Sequence, residues 1–384
     1  MEDPAWHIIT GEYPPAPGGV ADYVRSVARA LAAAGDDVHV WAPEQAGPLA
    51  QDPGVRLHAL PGGFAAVGLR TLARNFRREP PPRRVLVQYV PQAFGMKAMN
   101  VAFCAWVASL KDAEVWVMFH EVAVPWAPWW HWKANVVAAV TRVMARLLLS
   151  RVDRVLVSIP SWETMLRPLT GRWPGATWMP IPSNVPTQVS SEEVARVRAR
   201  LPLSAEGRAI GHFGTYGALV VPALMRALRT LLRNDPHRIA LLIGRGSEAT
   251  ARDLLRDPTM KGRILAPGTL EASEVAAHLA ACDILVQPYP DGVSTRRTSA
   301  MAGLALGVPT VTNDGPATEA VWRAAGAVEL APSADDLAET AEALLGDPAR
   351  ATELARKARA LYEAQLSLEH TIRALRGVAR PGVA

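Results

Sequence analysis

Short apolar segments alternate with amphipathic helical segments along this chain, and the alternation starts again after a proline-rich stretch. The first series contains predicted strands at residues 7–10, 38–42, 85–90, 115–119, 155–158 and 177–179. The second series contains predicted strands at residues 209–213, 239–243, 264–266, 284–287 and 308–312. Strands that alternate with helices form parallel sheets with helices on their faces. The pattern therefore predicts an α/β protein.

The length and the linker predict two domains. The 384 residues exceed the size of a single core, and 49% of them are hydrophobic, so that each half can bury a core of its own. Residues 179–188 contain three prolines and are typical of a linker. We therefore expect two Rossmann-like domains, over residues 1–183 and 184–367, and a terminal helix at about 368–384 that crosses back onto the first domain.

The composition favours a cytoplasmic protein. Cys104 and Cys282 lie far apart in apolar surroundings, which argues against a disulfide scaffold. No CxxC, HExxH or Asp-x-Asp motif suggests a metal site. Residues 1–13 lack the features of a signal peptide, and the longest apolar stretches are too short or too charged to span a membrane. The net charge of +5 is spread along the chain without a nucleic-acid motif, so we expect no nucleic-acid partner.

An anion-binding site is predicted within residues 284–313. There a short apolar strand leads into a polar loop and then into a helix. Arg296 and Arg297 stand beside the start of this helix, where the helix dipole disfavours cations unless an anion lies between them. A phosphate group would accept the free N–H groups of the first turn and pair with both guanidinium groups. The alternative is a pair of surface arginines on a solvated helix, in a chain that uses arginine heavily.

Five segments of the sequence carry a resemblance to a known enzyme family. They are TGEYPPAPGGVADYV near the start, FHE at residues 119–121, SNV in the linker, LLIGRGSEA, and PYPDGVSTRRTSAMAGLALGVPTVTND. With these segments the chain resembles the GT-B glycosyltransferases, and specifically the retaining enzymes of glycosyltransferase family 4, over essentially its whole length. The resemblance implies two Rossmann-like domains that face each other across a cleft.

The resemblance also implies where a nucleotide-diphosphate sugar binds. Asp291 matches the first carboxylate of the family's Glu-x7-Glu motif, which holds hydroxyl groups of the donor sugar. His120 matches a contact to the same sugar, and Arg296 and Arg297 would meet the diphosphate. The other implied donor-binding residues are Gly18, Gly19, Gly214, Thr215, Gly244, Arg245, Gly246, Thr269, Leu270, Gly292, Val293, Ser294, Thr295 and Ser299. For the paired glycines 18 and 19, for His120 and for Arg245, a purely structural role is the open alternative.

Two departures from the family pattern concern the donor. Ser299 occupies the place of the second motif glutamate, which binds the ribose, and a hydroxyl cannot make the charge-assisted contact of a carboxylate. Thr215 and Val221 occupy the places of an arginine and a lysine that face the diphosphate. Because such cations stabilise the leaving group, we expect Arg296 and Arg297 to supply the missing charge from another strand end.

The acceptor side is predicted from the first domain. Glu121 follows His120 and could orient its ring or face the acceptor. Residues 125–133 read PWAPWWHWK, and Trp126, Trp129 and Trp130 would suit a lipid-linked acceptor or an acceptor sugar. The alternative is a hydrophobic loop packed on its own domain.

The resemblance thus implies a retaining, metal-independent hexosyltransferase that uses a UDP- or GDP-sugar and no cofactor. Its acceptor would be a hydroxyl group of a glycolipid or polysaccharide precursor, met at the inner face of the membrane. Two rivals stay open. A non-catalytic GT-B protein is compatible with the departures at Ser299, Thr215 and Val221. A nucleotide-sugar epimerase would need further acid or base carboxylates, which the sequence does not show.

Overall fold

The computed structural model describes residues 4–45, 47 and 50–377 and divides them into two compact units. The first unit runs to Pro180 and includes the chain again from Thr371. The second unit is Ile181–His370. Of the predicted terminal helix, residues 378–384 lie outside the described part of the chain.

The first unit is a seven-stranded parallel sheet with helices between its strands. Its strands are β1 (Ala5–Thr10), β2 (Val38–Pro43), β3 (Val55–Leu60), β4 (Arg83–Tyr89), β5 (Glu114–Phe119), β6 (Arg154–Val157) and β7 (Ala176–Trp178). Its helices are α1 (Gly19–Ala33), α2 (Ala66–Phe76), α3 (Val101–Ala108), α4 (Trp132–Leu149) and α5 (Ser161–Leu166), with short 3₁₀ turns at Pro91–Phe94, Met96–Ala98 and Arg167–Leu169.

The strand order in this sheet is β3-β2-β1-β4-β5-β6-β7, and every pairing is parallel. The central strands read as continuous apolar runs because helices cover both faces of a parallel sheet. Strand β3 was missed from the sequence, since its residues VRLHAL alternate between apolar and polar and only Leu60 is fully buried. An edge strand packs on fewer neighbours and therefore gives a weaker apolar signal.

The second unit is a six-stranded parallel sheet. Its strands are β8 (Ala209–Phe213), β9 (Ile239–Ile243), β10 (Ile264–Gly268), β11 (Ile284–Gln287), β12 (Thr310–Asn313) and β13 (Glu329–Ala331). Its helices are α6 (Ser191–Arg198), α7 (Val221–Asn234), α8 (Ser247–Leu254), α9 (Ala272–Ala280), α10 (Thr298–Leu306), α11 (Ala320–Ala325), α12 (Leu337–Leu345) and α13 (Pro348–Leu361), with a 3₁₀ turn at Pro258–Met260 and a π-helical turn at Tyr362–Leu366.

The strand order in the second sheet is β10-β9-β8-β11-β12-β13, with parallel pairing throughout. Both sheets therefore reverse their direction of winding next to their own first strand, between β1 and β4 and between β8 and β11. In open parallel sheets, ligands bind outside the carboxyl ends of the strands at such a reversal. Each sheet therefore has a candidate ligand-binding position at the carboxyl ends of its strands, next to the reversal.

The last helix, α14 (Leu368–Arg376), carries the chain back to the first unit. Arg154 donates to the carbonyl of Ala374 at 3.5 Å, and the guanidinium of Arg376 lies 3.2 Å from the carboxylate of Asp36. Thr371 and Leu375 are buried. The helix is therefore held by both packing and polar contacts.

Candidate functional site

Glycines terminate three neighbouring strands at the carboxyl edge of the second sheet. The amide of Gly214, after β8, donates to the carbonyl of Ile243, and the amide of Gly244, after β9, donates to the carbonyl of Gly268. A Cβ atom on Gly244 would lie 2.2 Å from the carbonyl oxygen of Gly214, and its φ is +117°. Only glycine allows this close approach of two backbones.

Exposed polar side chains follow these strand ends. Thr215, Arg245 and Thr269 are exposed just beyond β8, β9 and β10, and Leu270 is half-buried. Gly246 has a left-handed conformation at φ +94° and caps the start of α8. Backbone amides and polar side chains thus border one open edge, and the nucleotide contacts expected there stay a prediction.

His212 on β8 marks the reversal between β8 and β11. It is 2% exposed, and its Nδ1 bonds to the carbonyl of Val286 on β11 at 2.8 Å. Burial lowers the pKa of His212 to about 4, although the bond to Val286 opposes this, so the ring is neutral at pH 7. Its Nε2 is buried and lacks a hydrogen-bond partner among the described residues.

Two further buried side chains near the end of β11 have polar atoms without a hydrogen-bond partner among the described residues. Both amide atoms of Gln287 and the hydroxyl of Ser294 are buried without a partner in the described part of the chain. Buried polar groups in native proteins nearly always find a partner. Together with Nε2 of His212, these atoms form a group of buried polar atoms that could bind a ligand at the reversal point of the second sheet.

The loop between β11 and α10 holds a compact charge cluster. The guanidinium of Arg296 donates to one oxygen of Asp291 at 3.0 Å, and that of Arg297 donates to the other oxygen. Burial acts to raise the pKa of Asp291, but Arg297 and Arg296 outweigh it and the pKa is lowered below its usual value. The anion that the sequence placed between the two arginines is therefore supplied, in this state, by Asp291 itself.

Arg297 and Ser299 belong to one network through Tyr289. The guanidinium of Arg297 lies over the Tyr289 ring, 5.1 Å from its centroid, and the Tyr289 hydroxyl lies 2.8 Å from Oγ of Ser299. A Cβ atom on Gly214 would lie 4.0 Å from the Ser299 hydroxyl and 3.8 Å from Nε2 of His212. Ser299 therefore faces the end of β8.

Two residues that the sequence did not single out fasten this loop. The side chain of Asn313, at the end of β12, accepts from the amide of Tyr289 and donates to its carbonyl, both at 2.8 Å. The carboxylate of Glu319 accepts from the amide of Thr295 at 2.9 Å. A sequence signal for Glu319 was absent, because nothing in the spacing relates a carboxylate at 319 to an amide 24 residues earlier.

Close backbone contacts fix the loop from the other side. Gly292 has a φ of +86°, and a Cβ atom there would lie 2.5 Å from the amide nitrogen of Gly315. The amide of Val293 donates to the carbonyl of Asn313, and the carbonyl of Asp291 accepts from the amide of Ala317. The loop is thus pre-organised before any ligand binds.

At the carboxyl edge of the first sheet, Glu12 follows β1 and approaches the start of α1. A Cβ atom on Gly18 would lie 2.6 Å from a carboxylate oxygen of Glu12, whereas one on Gly19 would meet nothing within 4 Å. Burial and then the charge of Glu121 raise the pKa of Glu12. Glu12, which the sequence did not single out, therefore lies near Glu121 at this edge.

His120 lies at the same edge, directly after β5. It is 6% exposed, its Nε2 is 2.7 Å from Oε1 of Gln88 on β4, and the Tyr23 ring meets it edge-on at 5.2 Å between centroids. Burial lowers the pKa of His120 to about 3, so the ring is neutral at pH 7. A neutral imidazole whose Nε2 faces a carbonyl oxygen is a hydrogen-bond donor there.

The tryptophan-rich segment lies on the surface. Trp126, Trp129 and Trp130 are 58%, 83% and 61% exposed. Arg142 on α4 lies over the Trp126 ring at 4.5 Å and donates to the carbonyl of Val124. The alternative of a loop buried against its own domain is therefore wrong for these rings.

Among the described helices, none combines the length and the apolar character that a membrane-spanning helix needs.

Two families of known proteins match the two halves of the chain. A family described as "Glycosyl transferase 4-like domain" matches residues 18–183, and one described as "Glycosyl transferase-like" matches residues 224–377. The first match includes His120 and the second includes the loop from Asp291 to Ser299, whereas Glu12 and the end of β8 lie outside the matched residues. No curated protein matches the sequence at a significant level.

Solved structures share the fold over nearly the whole chain at low identity. Sucrose-phosphate synthase from Thermosynechococcus elongatus is 17% identical with a TM-score of 0.73, and 98% of each chain is covered. WaaG, a glycosyltransferase involved in lipopolysaccharide biosynthesis, is 14% identical with a TM-score of 0.69, covering 98% of this chain and 100% of its own. Anabaena HepE in complex with UDP and glucose is 15% identical with a TM-score of 0.67, covering 98% and 99%. The chain belongs to the GT-B glycosyltransferases, in a form similar to family 4.

Proposed function

We propose that this protein is a retaining, metal-independent glycosyltransferase that moves a sugar from a UDP- or GDP-sugar onto a hydroxyl group of a glycolipid or polysaccharide precursor. The observation that carries the proposal is the cluster at the reversal point of the second sheet. There Asp291 pairs with two arginines beside the first turn of α10, and the buried Nε2 of His212 has no partner among the described residues. HepE, whose solved complexes contain UDP, UDP-glucose or UDP and glucose, supports a nucleotide-sugar donor.

In the proposed complex the two arginines exchange partners. The diphosphate carries more charge than one carboxylate, and it accepts charge-assisted hydrogen bonds from Arg296 and Arg297 and from backbone amides near Gly214. Asp291 is then free to accept hydrogen bonds from hydroxyl groups of the donor sugar. The carboxylate of an aspartate is ionised near pH 7 even without paired arginines, so Asp291 remains an acceptor there.

The proposed chemistry requires no general base from the protein. The bond between the sugar's anomeric carbon and the diphosphate oxygen breaks, and the pair of electrons leaves with the diphosphate. The acceptor hydroxyl attacks the same face of the sugar and gives its proton to the departing diphosphate oxygen. Arg296 and Arg297 stabilise the negative charge that develops on the leaving group, which is the role a divalent cation plays elsewhere.

The first unit is proposed to hold the acceptor. His120 is neutral and buried, which suits a hydrogen bond to a sugar better than proton transfer near pH 7. Glu121 and the exposed rings of Trp126, Trp129 and Trp130 would meet the acceptor. Lys133, over the ring of Trp132, and Arg142, over the ring of Trp126, suit the headgroups of an anionic membrane surface at the inner face.

Co-sedimentation with anionic liposomes tests the membrane part. Replacement of Trp129 and Trp130 by Ala is expected to abolish sedimentation without loss of folding, because both rings are exposed. The control is Leu219→Ala, an exposed apolar residue of the second unit. Equal sedimentation of the tryptophan variant and the control would contradict membrane contact through this segment.

A non-catalytic donor-binding protein is the second candidate. It is favoured by Ser299, which offers a hydroxyl bonded to Tyr289 where the family has a carboxylate, and by Thr215 and Val221 where it has cations. Such a protein would bind the nucleotide sugar and release neither nucleotide nor transferred sugar.

The testing experiment combines binding and turnover without metal. The thermal unfolding temperature is measured in EDTA with UDP, GDP and ADP and with their sugar conjugates, since a ligand of the folded state raises it by mass action. Release of nucleotide and the anomeric configuration of the product are then followed with the stabilising donor. Stabilisation with turnover and retained configuration supports the proposal. Stabilisation without turnover selects the second candidate, and no stabilisation by any nucleotide contradicts both.

A further inference from the structure

Histidines gather on one face of the first sheet, from the amino-terminal end of β2 to the middle of β3. His39 is the second residue of β2, and His58 lies on the neighbouring strand β3. Nδ1 of His39 and Nε2 of His58 are 2.9 Å apart, and their rings are nearly parallel, at 5°. The site described above lies at the opposite, carboxyl ends of the strands, so the proposed transfer reaction does not use these rings.

A carboxylate completes the group. Oε2 of Glu79, in the segment after α2, lies 3.8 Å from Nδ1 of His39. One ligand atom from each of His39, His58 and Glu79 lies within 4.8 Å of the others, and among the described residues no other set of three metal-binding side chains meets this condition. Three such groups with an open fourth position are the ligand set of many zinc sites.

We propose that His39, His58 and Glu79 bind a divalent transition-metal ion of the zinc type and that the ion fastens β2 and β3 to the segment after α2. Tetrahedral zinc with bonds of about 2.0–2.1 Å keeps its ligand atoms about 3.3 Å apart. The observed separations of 2.9 and 3.8 Å lie on either side of this value. The third separation, between His58 and Glu79, is at most 4.8 Å, so side-chain movements of no more than about 1.5 Å form the site.

The surroundings favour the protonation states that a metal requires. Burial, with the charge of nearby Arg56, lowers the pKa of His39, and burial with His39 and Arg56 lowers that of His58 to about 4. Both rings are therefore neutral near pH 7, as metal binding requires. The 2.9 Å contact between the two rings is a hydrogen bond that a bound ion would replace, and Oδ1 of Asp37, 3.7 Å from Nε2 of His39, lies where an outer partner of that ring would stand.

The neighbouring charge and the packing are also compatible with a cation. The positive charge of Arg56 is balanced by its ion pair with Asp37. The His58 ring stacks on Trp41 with centroids 3.8 Å apart, which fixes the direction of its nitrogen atoms. His39 is buried, whereas the Glu79 side chain is 20% exposed, so an ion and one water molecule can enter from the Glu79 side.

The sequence could not indicate this group. Its members stand at positions 39, 58 and 79, separated by 19 and then 21 residues, and zinc motifs are recognised by short spacings. The absence of CxxC and HExxH motifs excluded only the motif-based sites. Parallel pairing of β2 with β3 brings the two histidines together, and pairing does not require a short separation.

The test is zinc binding by the full-length, tag-free protein after EDTA treatment and removal of the chelator, measured by titration calorimetry with ZnCl₂. One zinc per chain is expected for the wild type. Glu79→Gln and His58→Ala are each expected to weaken zinc binding at least about 100-fold, because loss of even an outer partner costs about 10- to 100-fold. His237→Ala, which removes an exposed histidine of the second unit, is the matched control and should bind zinc like the wild type.

Thermal unfolding keeps the result independent of folding defects. Glu79→Gln keeps the size of the side chain, so its unfolding temperature without zinc should equal that of the wild type, and only the rise on adding zinc should disappear. Nucleotide-sugar turnover in EDTA should be the same in both proteins. Absence of stoichiometric zinc binding in the wild type, or equal zinc affinity in Glu79→Gln and the wild type, would overturn the proposal.

Discussion

The carboxyl edges of the two sheets both end in a buried, neutral histidine, but they surround it differently. His120 in the first unit has its Nε2 bonded to Gln88 and a tyrosine against its ring. His212 in the second unit bonds through Nδ1 to a backbone carbonyl, and its Nε2 has no partner within the described ranges. Both edges keep buried polar atoms without a partner among the described residues, but at the first edge these are Nε2 of Gln88 and the hydroxyl of Tyr89, whereas at the second edge they include the histidine itself.

The two edges also differ in the charged side chains that they bring together. In the first unit Glu12 and Glu121 repel each other, and the pKa of Glu12 is raised by burial and by this repulsion. In the second unit Asp291 is held between two arginines. An edge with extra cations and fixed backbone amides suits an invariant anionic ligand. An edge with carboxylates and exposed tryptophans suits a neutral, hydroxyl-rich partner that can vary.

The largest expected effect is on turnover by Asp291→Asn. In the proposed complex Asp291 accepts hydrogen bonds from the donor sugar, so loss of its charge would weaken a transition-state contact, and removal of one such contact costs about 10²- to 10³-fold in kcat. The measurement is steady-state kinetics of transfer with the stabilising donor. Asp335→Asn, which loses an exposed ion pair with Arg226 in the same unit, is expected to change kcat less than threefold.

The comparison of the two edges would break if Glu121→Gln reduced kcat more than Asp291→Asn does. In that case the first unit, rather than the second, would carry the charged contacts of the transition state.

The next effect is on stability, through matched glycine substitutions at the two edges. Gly244→Ala is expected to lower the free energy of unfolding by about 3 kcal/mol, because its Cβ would collide with the Gly214 carbonyl at a positive φ. Gly19→Ala has free space and should change it by less than about 0.5 kcal/mol. Urea unfolding measures both. Equal values for the two variants would show that the second edge is not the more tightly built.

A smaller effect is expected from pH. The pKa values of His120 and His212 are lowered to about 3 and about 4, so unfolded chains bind a proton below about pH 6.5 and folded chains do not. The stability that each neutral ring provides is therefore present above pH 6.5 and is lost as the pH falls toward the folded pKa. At pH 5.5 each histidine is expected to lower the free energy of unfolding by about 1.4 kcal/mol relative to pH 7.5.

Urea unfolding of His120→Gln and His212→Gln at pH 7.5 and 5.5 measures this effect. Each variant should lose about 1.4 kcal/mol less stability between these pH values than the wild type does. His237→Gln, at an exposed position, should behave like the wild type. A wild-type pH dependence in both variants would show that neither ring is held neutral.

The smallest expected effect is that of Ser299→Ala. The variant loses the hydrogen bond to Tyr289 and, in the proposed complex, one contact to the donor, and a neutral hydrogen bond is worth about 1 kcal/mol, or about fivefold. The donor KM should therefore rise about fivefold with little change in kcat. Ser333→Ala, a surface hydroxyl of the same unit, is the control. A rise of 100-fold or more would mean that Ser299 fully replaces the motif carboxylate.

The sequence predicted the fold class and most central strands because buried parallel strands are continuous apolar runs. It missed the edge strand β3, whose pattern is mixed, and β13, which is three residues long. Glycine, hydroxyl groups and arginines that coincide with a helix start also predicted an anion-binding loop within residues 284–313, and the role of that loop stays a prediction.

The sequence did not predict which charges meet. That Asp291 would satisfy Arg296 and Arg297 depends on the conformation of the loop, which Asn313 and Glu319 fix from distant positions. The exposed tryptophans were undecided for the same reason, since the burial of a loop depends on the surface beside it. Contacts between residues far apart in the sequence therefore could not be predicted from the sequence alone.

The most direct test of the central claim is the affinity of the second edge for the nucleotide diphosphate that stabilises the protein best. Calorimetric titration in EDTA compares the wild type with the double variant Arg296→Ala/Arg297→Ala and with Arg226→Ala as the control. Because hydrogen bonds to charged groups are worth about 1.5–3 kcal/mol each, Kd should rise at least about 100-fold in the double variant and stay unchanged in the control. An unchanged Kd in the double variant would contradict the account, since the two arginines would then serve only Asp291.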